Sequence, residues 1–195
     1  MHPLVLGRKD VRMLDAKVIA DFITASRGLL GIVMIWLGLT QGVSALPTIV
    51  LLMIVCWTGD FVDGGIAHLS PHPRHTLIGD SDIFIDLFVS LCVGAYLIAA
   101  GFVGPIFGCG YLIVWTLLLW RFGLDKNLLM LIQLPIYLDL ILIALRIVPQ
   151  SGTWLVVWVL IATIINWRRF THEIVPQFIA GMRSIGGGHG GSHSP

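Results

Sequence analysis

Long apolar runs separated by short polar breaks dominate the chain, at residues 18–39, 43–67, 82–101, 105–121, 128–148 and 154–167. A helix that crosses a bilayer needs about twenty mainly apolar residues. The apolar stretch 83–120 is too long for one crossing at a rise of about 1.5 Å per residue, and Gly101 with Gly104-Pro105 supplies the break inside it. The pattern therefore predicts an all-α integral membrane fold of six transmembrane helices.

Composition agrees. The 195 residues are 56% hydrophobic and 12% charged, with a mean hydropathy of +0.90, which excludes an ordinary soluble domain and makes the lipid bilayer the first partner. No nucleic-acid partner is expected. No repeat of fixed period stands out, so residues 18–170 read as one six-helix domain. Residues 171–195 read as a cytoplasmic tail, flexible from about 184, where glycine, serine and two histidines predominate. No signal peptide is apparent, since no small-residue cleavage site follows a short apolar core.

Orientation follows from the cations. Arg8, Lys9, Arg12 and Lys17 precede the first run, Arg74 lies in the second loop, Arg121 and Lys126 flank the fourth, and Arg168, Arg169 and Arg183 follow the sixth. All fall on one side if both termini are cytoplasmic, as positive-inside loops require. Arg146, near the opposite side, reaches the interface by snorkelling. Within the juxtamembrane segment 1–17, Leu4, Val5, Leu6, Val11, Met13 and Leu14 interleave with the basic residues. Two readings stay open there: a short amphipathic helix on anionic headgroups, or ordinary flanking sequence. Cys56, Cys92 and Cys109 sit in apolar runs without metal-type spacing and read as packing residues. Trp36, Trp57, Trp115, Trp120, Trp154 and Trp167 fall mostly toward run ends, as an interfacial belt does.

Against this apolar background the aspartates carry the chemistry. The chain has only eleven acidic residues, and four of them stand at Asp60, Asp63, Asp82 and Asp86 beside apolar runs. Ionised groups near hydrocarbon are costly and mark function by default. Residues three or four apart share a helical face, so Asp60 and Asp63 point together, as do Asp82 and Asp86. If runs 43–67 and 82–101 are antiparallel helices, both pairs meet at one membrane surface, the cytoplasmic one. Hard oxygen donors of this kind suit Mg²⁺ or Mn²⁺, and four carboxylates are enough for two ions about 3.5–4 Å apart. Capping of helix N-termini accounts for Asp80 and in part Asp82, but not for Asp60 and Asp63, which approach a helix C-terminal end.

These residues resemble the CDP-alcohol phosphotransferase family, membrane enzymes of phospholipid synthesis with the signature D-x-x-D-G-x-x-A-R, a loop, then G-x-x-x-D-x-x-x-D. Asp60, Asp63, Gly64, Ala67, Asp82 and Asp86 match in order and type. Upstream, Asp21-Phe-Ile-Thr24-Ala-Ser-Arg27 is similar to the family's first-helix N-x-x-T-x-x-R, with aspartate in place of asparagine. His68 stands at the arginine position, the loop is one or two residues longer, and Gly79 precedes Asp82 by three positions rather than four. A histidine lacks the forked donors of a guanidinium, and Arg74 in the same loop is the candidate substitute. The resemblance implies transfer of a phosphatidyl group from a CDP-linked lipid to an alcohol acceptor, with release of CMP. It implies metal ligation by the four aspartates, Asp86 as the base, and substrate contacts from Thr24, Arg27, Gly64, Ala67, His68 and Arg74. The compact size is shared with phosphatidylglycerophosphate synthases, which makes Arg121, Lys126, Arg168 and Arg169 candidates for an acceptor phosphate, topology-setting charge being the simpler account of each. A bacterial inner-membrane location and a homodimer fit the resemblance.

Gly64, Gly65 and Ala67 either ease helix packing or leave room for a nucleotide. Arg27 lies about two turns inside the first run; either that helix extends beyond the bilayer or Arg27 pairs with the aspartates or a phosphate. Asp139, deep in the fifth run after Pro135, pairs with an arginine or lines a polar cavity. His72 and His75 belong to a hydrated loop. A divalent-cation transporter or metal-binding membrane protein is the rival reading, and a catalytically silent family member, suggested by His68, a further one. The transporter uses the same aspartates with His68, His72, His75 and the tail, but requires acidic or histidine residues through other spans, and only Asp139 lies so deep.

Overall fold

The computed structural model describes the backbone of residues 8–67, 82–123, 126–165 and 167, and the side chains of residues 22–61, 84–123, 127–165 and 167. Six α-helices follow in order: α1 (Arg8–Gln41), α2 (Leu46–Ala67), α3 (Asp82–Ala99), α4 (Pro105–Phe122), α5 (Lys126–Ile147) and α6 (Pro149–Ile165), with a 3₁₀ turn at Gly42–Ala45 between the first two. Among the described residues there is no strand.

The 34-residue α1 runs unbroken from Arg8 through Lys17. Residues 8–17 are thus not a separate amphipathic helix but the first turns of α1, which at about 1.5 Å per residue is about 50 Å long, well beyond a hydrocarbon core of about 30 Å. The chain reverses at Gly42, whose φ of +58° lies in the left-handed region that favours glycine. α1 and α2 form an antiparallel hairpin about this turn, with Gly59 set against Ile23 and Arg27. α3 returns parallel to α1, since Gly31 meets Phe88 and Cys92 while Gly38 meets Tyr96 and Ala99. A Cβ on Gly38 would stand 2.9 Å from the Tyr96 ring, so the small residue lets the two helices close up.

The connections after α3 and α5 are as tight. After Ala99 the chain turns through Gly101, at φ +80°, and restarts at Pro105 behind the extended Gly104. α6 begins at Pro149, earlier than the apolar pattern indicates, because proline at the first helical position suits a helix start and turns the polar stretch after Val148 into helix. Gly152 then lies against the end of α5, where a Cβ would fall 2.6 Å from the Leu145 backbone nitrogen.

Helices α1, α2, α3, α5 and α6 pack about a core that includes Met34, Leu46, Ile49, Met53, Tyr96, Leu140 and Leu155, all fully buried. α4 rests against α3 at the edge. The outside is as apolar as the inside: Ile106 is 86% exposed, Trp120 84%, Phe22 74% and Leu39 73%. So wide an apolar surface suits a hydrocarbon surround and not water. Three stretches are long and apolar enough to cross a membrane, Phe22–Phe61, Pro105–Phe122 and Asn127–Ile147, and the first contains the α1–α2 reversal. Phe84–Ala99 and Pro149–Ile165 are shorter apolar helices. Cys56 and Cys92 are buried packing residues, whereas Cys109 is exposed on α4. Trp57 departs from the belt pattern, since it lies inward, edge-on to Tyr137 with ring centroids 5.2 Å apart and stacked on Trp158 at 5.6 Å.

Candidate functional site

The helical register that buries apolar residues also delivers the charges. On α1, Thr24, Arg27, Gly31 and Met34 recur at three- and four-residue steps and share the inward stripe. Arg27 is therefore carried into the bundle, only 3% exposed. Asp60 continues the α2 stripe that holds Met53 and Cys56, and Asp86 opens the α3 stripe of Val89, Ser90 and Val93. Three helices thus bring a cation and two carboxylates to one point.

Arg27 bridges the pair. Its Nη1 lies 3.1 Å from Asp60 Oδ1, and its Nη2 donates a hydrogen bond to Asp86 Oδ1. The guanidinium side chain is 4% exposed, while those of Asp60 and Asp86 are 42% and 28% exposed. The cation is sealed in the bundle and the anions face outward. An arginine held so deep is tolerated because the carboxylates neutralise it; removing them would leave an uncompensated buried charge. Close approach of α1 and α2 makes the geometry reachable, with a Gly59 Cβ position 3.2 Å from Ile23 Cγ2 and 3.5 Å from Arg27 Cδ. Of the two accounts of Arg27, both hold: α1 is longer than a bilayer, and Arg27 pairs with the aspartates.

Beneath the cluster lies an aromatic floor. Trp158 Nε1 donates to Thr58 Oγ1 at 3.0 Å, fixing α6 to α2, and Trp57 holds Tyr137 of α5 edge-on. Tyr137 lies within electrostatic reach of both Arg27 and Asp86. Sequence reasoning missed it, because a single tyrosine in an apolar run carries no spacing signal.

The remaining candidates divide by where they fall. Asp63 lies one turn beyond Asp60 on α2, and Asp82 is the first residue of α3, four before Asp86; the side chains of both lie outside the described residues. Gly64 and Ala67 belong to the last turns of α2. Lys126 opens α5, with its side chain outside the described residues. His68, His72, Arg74, His75, Arg168, Arg169 and the tail lie outside them altogether. Arg121 ends α4, exposed, 5.3 Å from the Phe122 ring centroid, and among the described residues no ion pair joins it to Asp60 or Asp86.

Among the described residues no group of three or more histidine, cysteine, aspartate or glutamate side chains is placed to hold a metal ion. Oxygens from different helices already converge on a single cationic group, and carboxylate oxygens are the donors that hard divalent ions take. Comparison of the chain with known protein families, with curated proteins and with solved structures finds no match.

Proposed function

We propose that the chain is a membrane-embedded transferase of the kind its motifs resemble, moving a phosphatidyl or related phosphate-bearing group from a CDP-linked lipid to an alcohol with release of CMP. One observation carries this reading: Arg27 of the first motif, Asp60 of the second and Asp86 of the third, separated by up to 59 positions, meet at one ion-pair cluster. The inside-out apolar surface supports six helices embedded in a bilayer, with the cluster toward the cytoplasmic side where the cations of the loops gather. A bacterial inner membrane fits the same reading.

Asp60, Asp63, Asp82 and Asp86 are the residues that would hold Mg²⁺ or Mn²⁺. Such an ion, when bound, supplies positive charge against the diphosphate and the departing CMP. The chain's own groups do the rest. The alcohol oxygen bonds to the lipid-side phosphorus, the phosphorus–oxygen bond to CMP breaks, and CMP leaves with the electron pair. The hydroxyl proton passes to a carboxylate oxygen of Asp86, which lies in the partly open mouth of the cluster. Arg27 fixes the position of Asp86 through its Nη2. Gly64 and Ala67, one or two turns beyond Asp60, leave room beside the backbone for the nucleotide.

The test is release of CMP from CDP-diacylglycerol by the purified full chain, with a panel of alcohols, with and without Mg²⁺ or Mn²⁺. Metal-dependent release with at least one alcohol is expected. No release with any pairing, while Mn²⁺ still raises the melting temperature, would instead favour a cation-binding or transport role.

A further inference from the structure

We propose that the cavity between α3, α4 and α5 binds a long-chain amphiphile with a protonated amine, and that the Asp139 carboxylate holds its ammonium group. The cavity has a volume of about 750 Å³, in the range of sites that enclose small ligands. Its walls come from Gly94 and Ile98 of α3, Ile106 and Tyr111 of α4, and Pro135 and Asp139 of α5. Among the described residues Asp139 is the one charged group in the lining, so the polar cavity that the sequence allowed is an apolar one with a carboxylate on its wall.

That carboxylate is exposed and, among the described residues, joined to no cation. Arg146, the nearest arginine along α5, is seven positions away, about 10 Å along the axis. The Tyr111 hydroxyl already donates to the Ile132 carbonyl, close to Pro135, whose missing N–H interrupts the helical bonding of α5. A carboxylate in hydrocarbon calls for a positive partner with N–H donors. A divalent ion would require several further oxygens, which the apolar walls do not offer. An alkylammonium meets both demands, because its chain fills the walls and its head carries the charge. This inference rests on the membrane reading above and not on the transferase reading.

The experiment uses the purified full chain in a nonionic detergent, without nucleotide or metal, so a failed transferase assay leaves it intact. A diazirine-bearing long-chain primary amine is photo-crosslinked and the labelled peptides are mapped. Labelling of α3, α4 and α5 is expected, displaced by dodecylamine at about tenfold lower concentration than by dodecanol. Asp139→Asn should weaken the amine about tenfold, the factor that about 1.4 kcal/mol represents, and leave dodecanol unchanged. Asp139→Glu should retain the preference, and Ala95→Phe, which puts a ring into the cavity from the α3 wall, should reduce labelling. Equal competition by amine and alcohol on the wild type would overturn the proposal even if Asp139→Asn failed to fold. Labelling elsewhere, or an unchanged amine preference in folded Asp139→Asn, would overturn it too.

Discussion

Two carboxylate environments lie in the same bundle and obey opposite rules. At the α1–α2–α3 cluster, Asp60 and Asp86 share a buried guanidinium, so each charge is held by another and the motif segments are locked together. In the α3–α4–α5 cavity, Asp139 is, among the described residues, the one charged group on apolar walls. The first arrangement holds itself in place whether or not anything binds, whereas the second leaves its charge to an outside partner. Burial alone therefore says little about the role of an intramembrane aspartate; what decides is whether the fold supplies its counter-charge.

The largest effects should come from breaking the cluster's chemistry. Asp60→Asn, Asp63→Asn and Asp82→Asn are each expected to lower CMP release by about a thousandfold and to abolish stabilisation by Mn²⁺ in thermal denaturation. Equal Mn²⁺ stabilisation of wild type and all three variants would place the metal elsewhere. Asp86→Asn should keep nucleotide-lipid affinity and lose turnover to a similar degree, because an amide accepts no proton. Undiminished turnover would remove Asp86 from the base role.

Next in size is the counter-charge itself. Arg27→Met leaves two partly exposed carboxylates facing each other and should cost about 1–3 kcal/mol of stability, read as a lowered melting temperature in detergent. Adding Asp60→Asn to it should restore part of the loss, since one repelling charge is gone; a strictly additive double variant would deny the coupling. Asp139→Leu should behave in the opposite sense and raise stability by about 1 kcal/mol, because a lone carboxylate is replaced by a side chain the surround prefers. A destabilised Asp139→Leu would mean that the bundle neutralises this group after all.

The smallest and most specific contrast concerns His68. If its imidazolium takes over the charge of the family arginine, activity falls as pH rises through about 6.5, where the proton is lost. His68→Arg should flatten that alkaline limb, and His68→Ala should be weak throughout. Should Arg74 serve instead, Arg74→Ala is the damaging change and His68→Ala nearly neutral.

Much of this was legible in the chain. The six helices follow from run length and from the glycine-proline break before Pro105, because hydrocarbon burial leaves few ways to arrange twenty apolar residues. The meeting of Asp60 and Asp86 follows from two apolar runs joined by a polar loop, and the depth of Arg27 pointed to a carboxylate partner. Three things were not legible. The continuity of α1 through Lys17 depends on helix propensity across a charged segment, which the hydropathy pattern breaks. The early start of α6 hangs on Pro149 acting as a helix opener, although the same residues read as loop. Tyr137 and Trp57 enter the site through tertiary packing, for which a lone aromatic gives no periodic signal.

The short reversal at Gly42 bears on how the protein is made. Arg27, Asp60 and Asp86 all lie in the first half of the chain, on three consecutive helices. During synthesis the N-terminal part is available first. The buried arginine thus has both counter-charges within the chain once α3 is made, before α4, α5 or α6. The hairpin about Gly42 brings Arg27 and Asp60 together on α1 and α2, and α3 completes the cluster with Asp86.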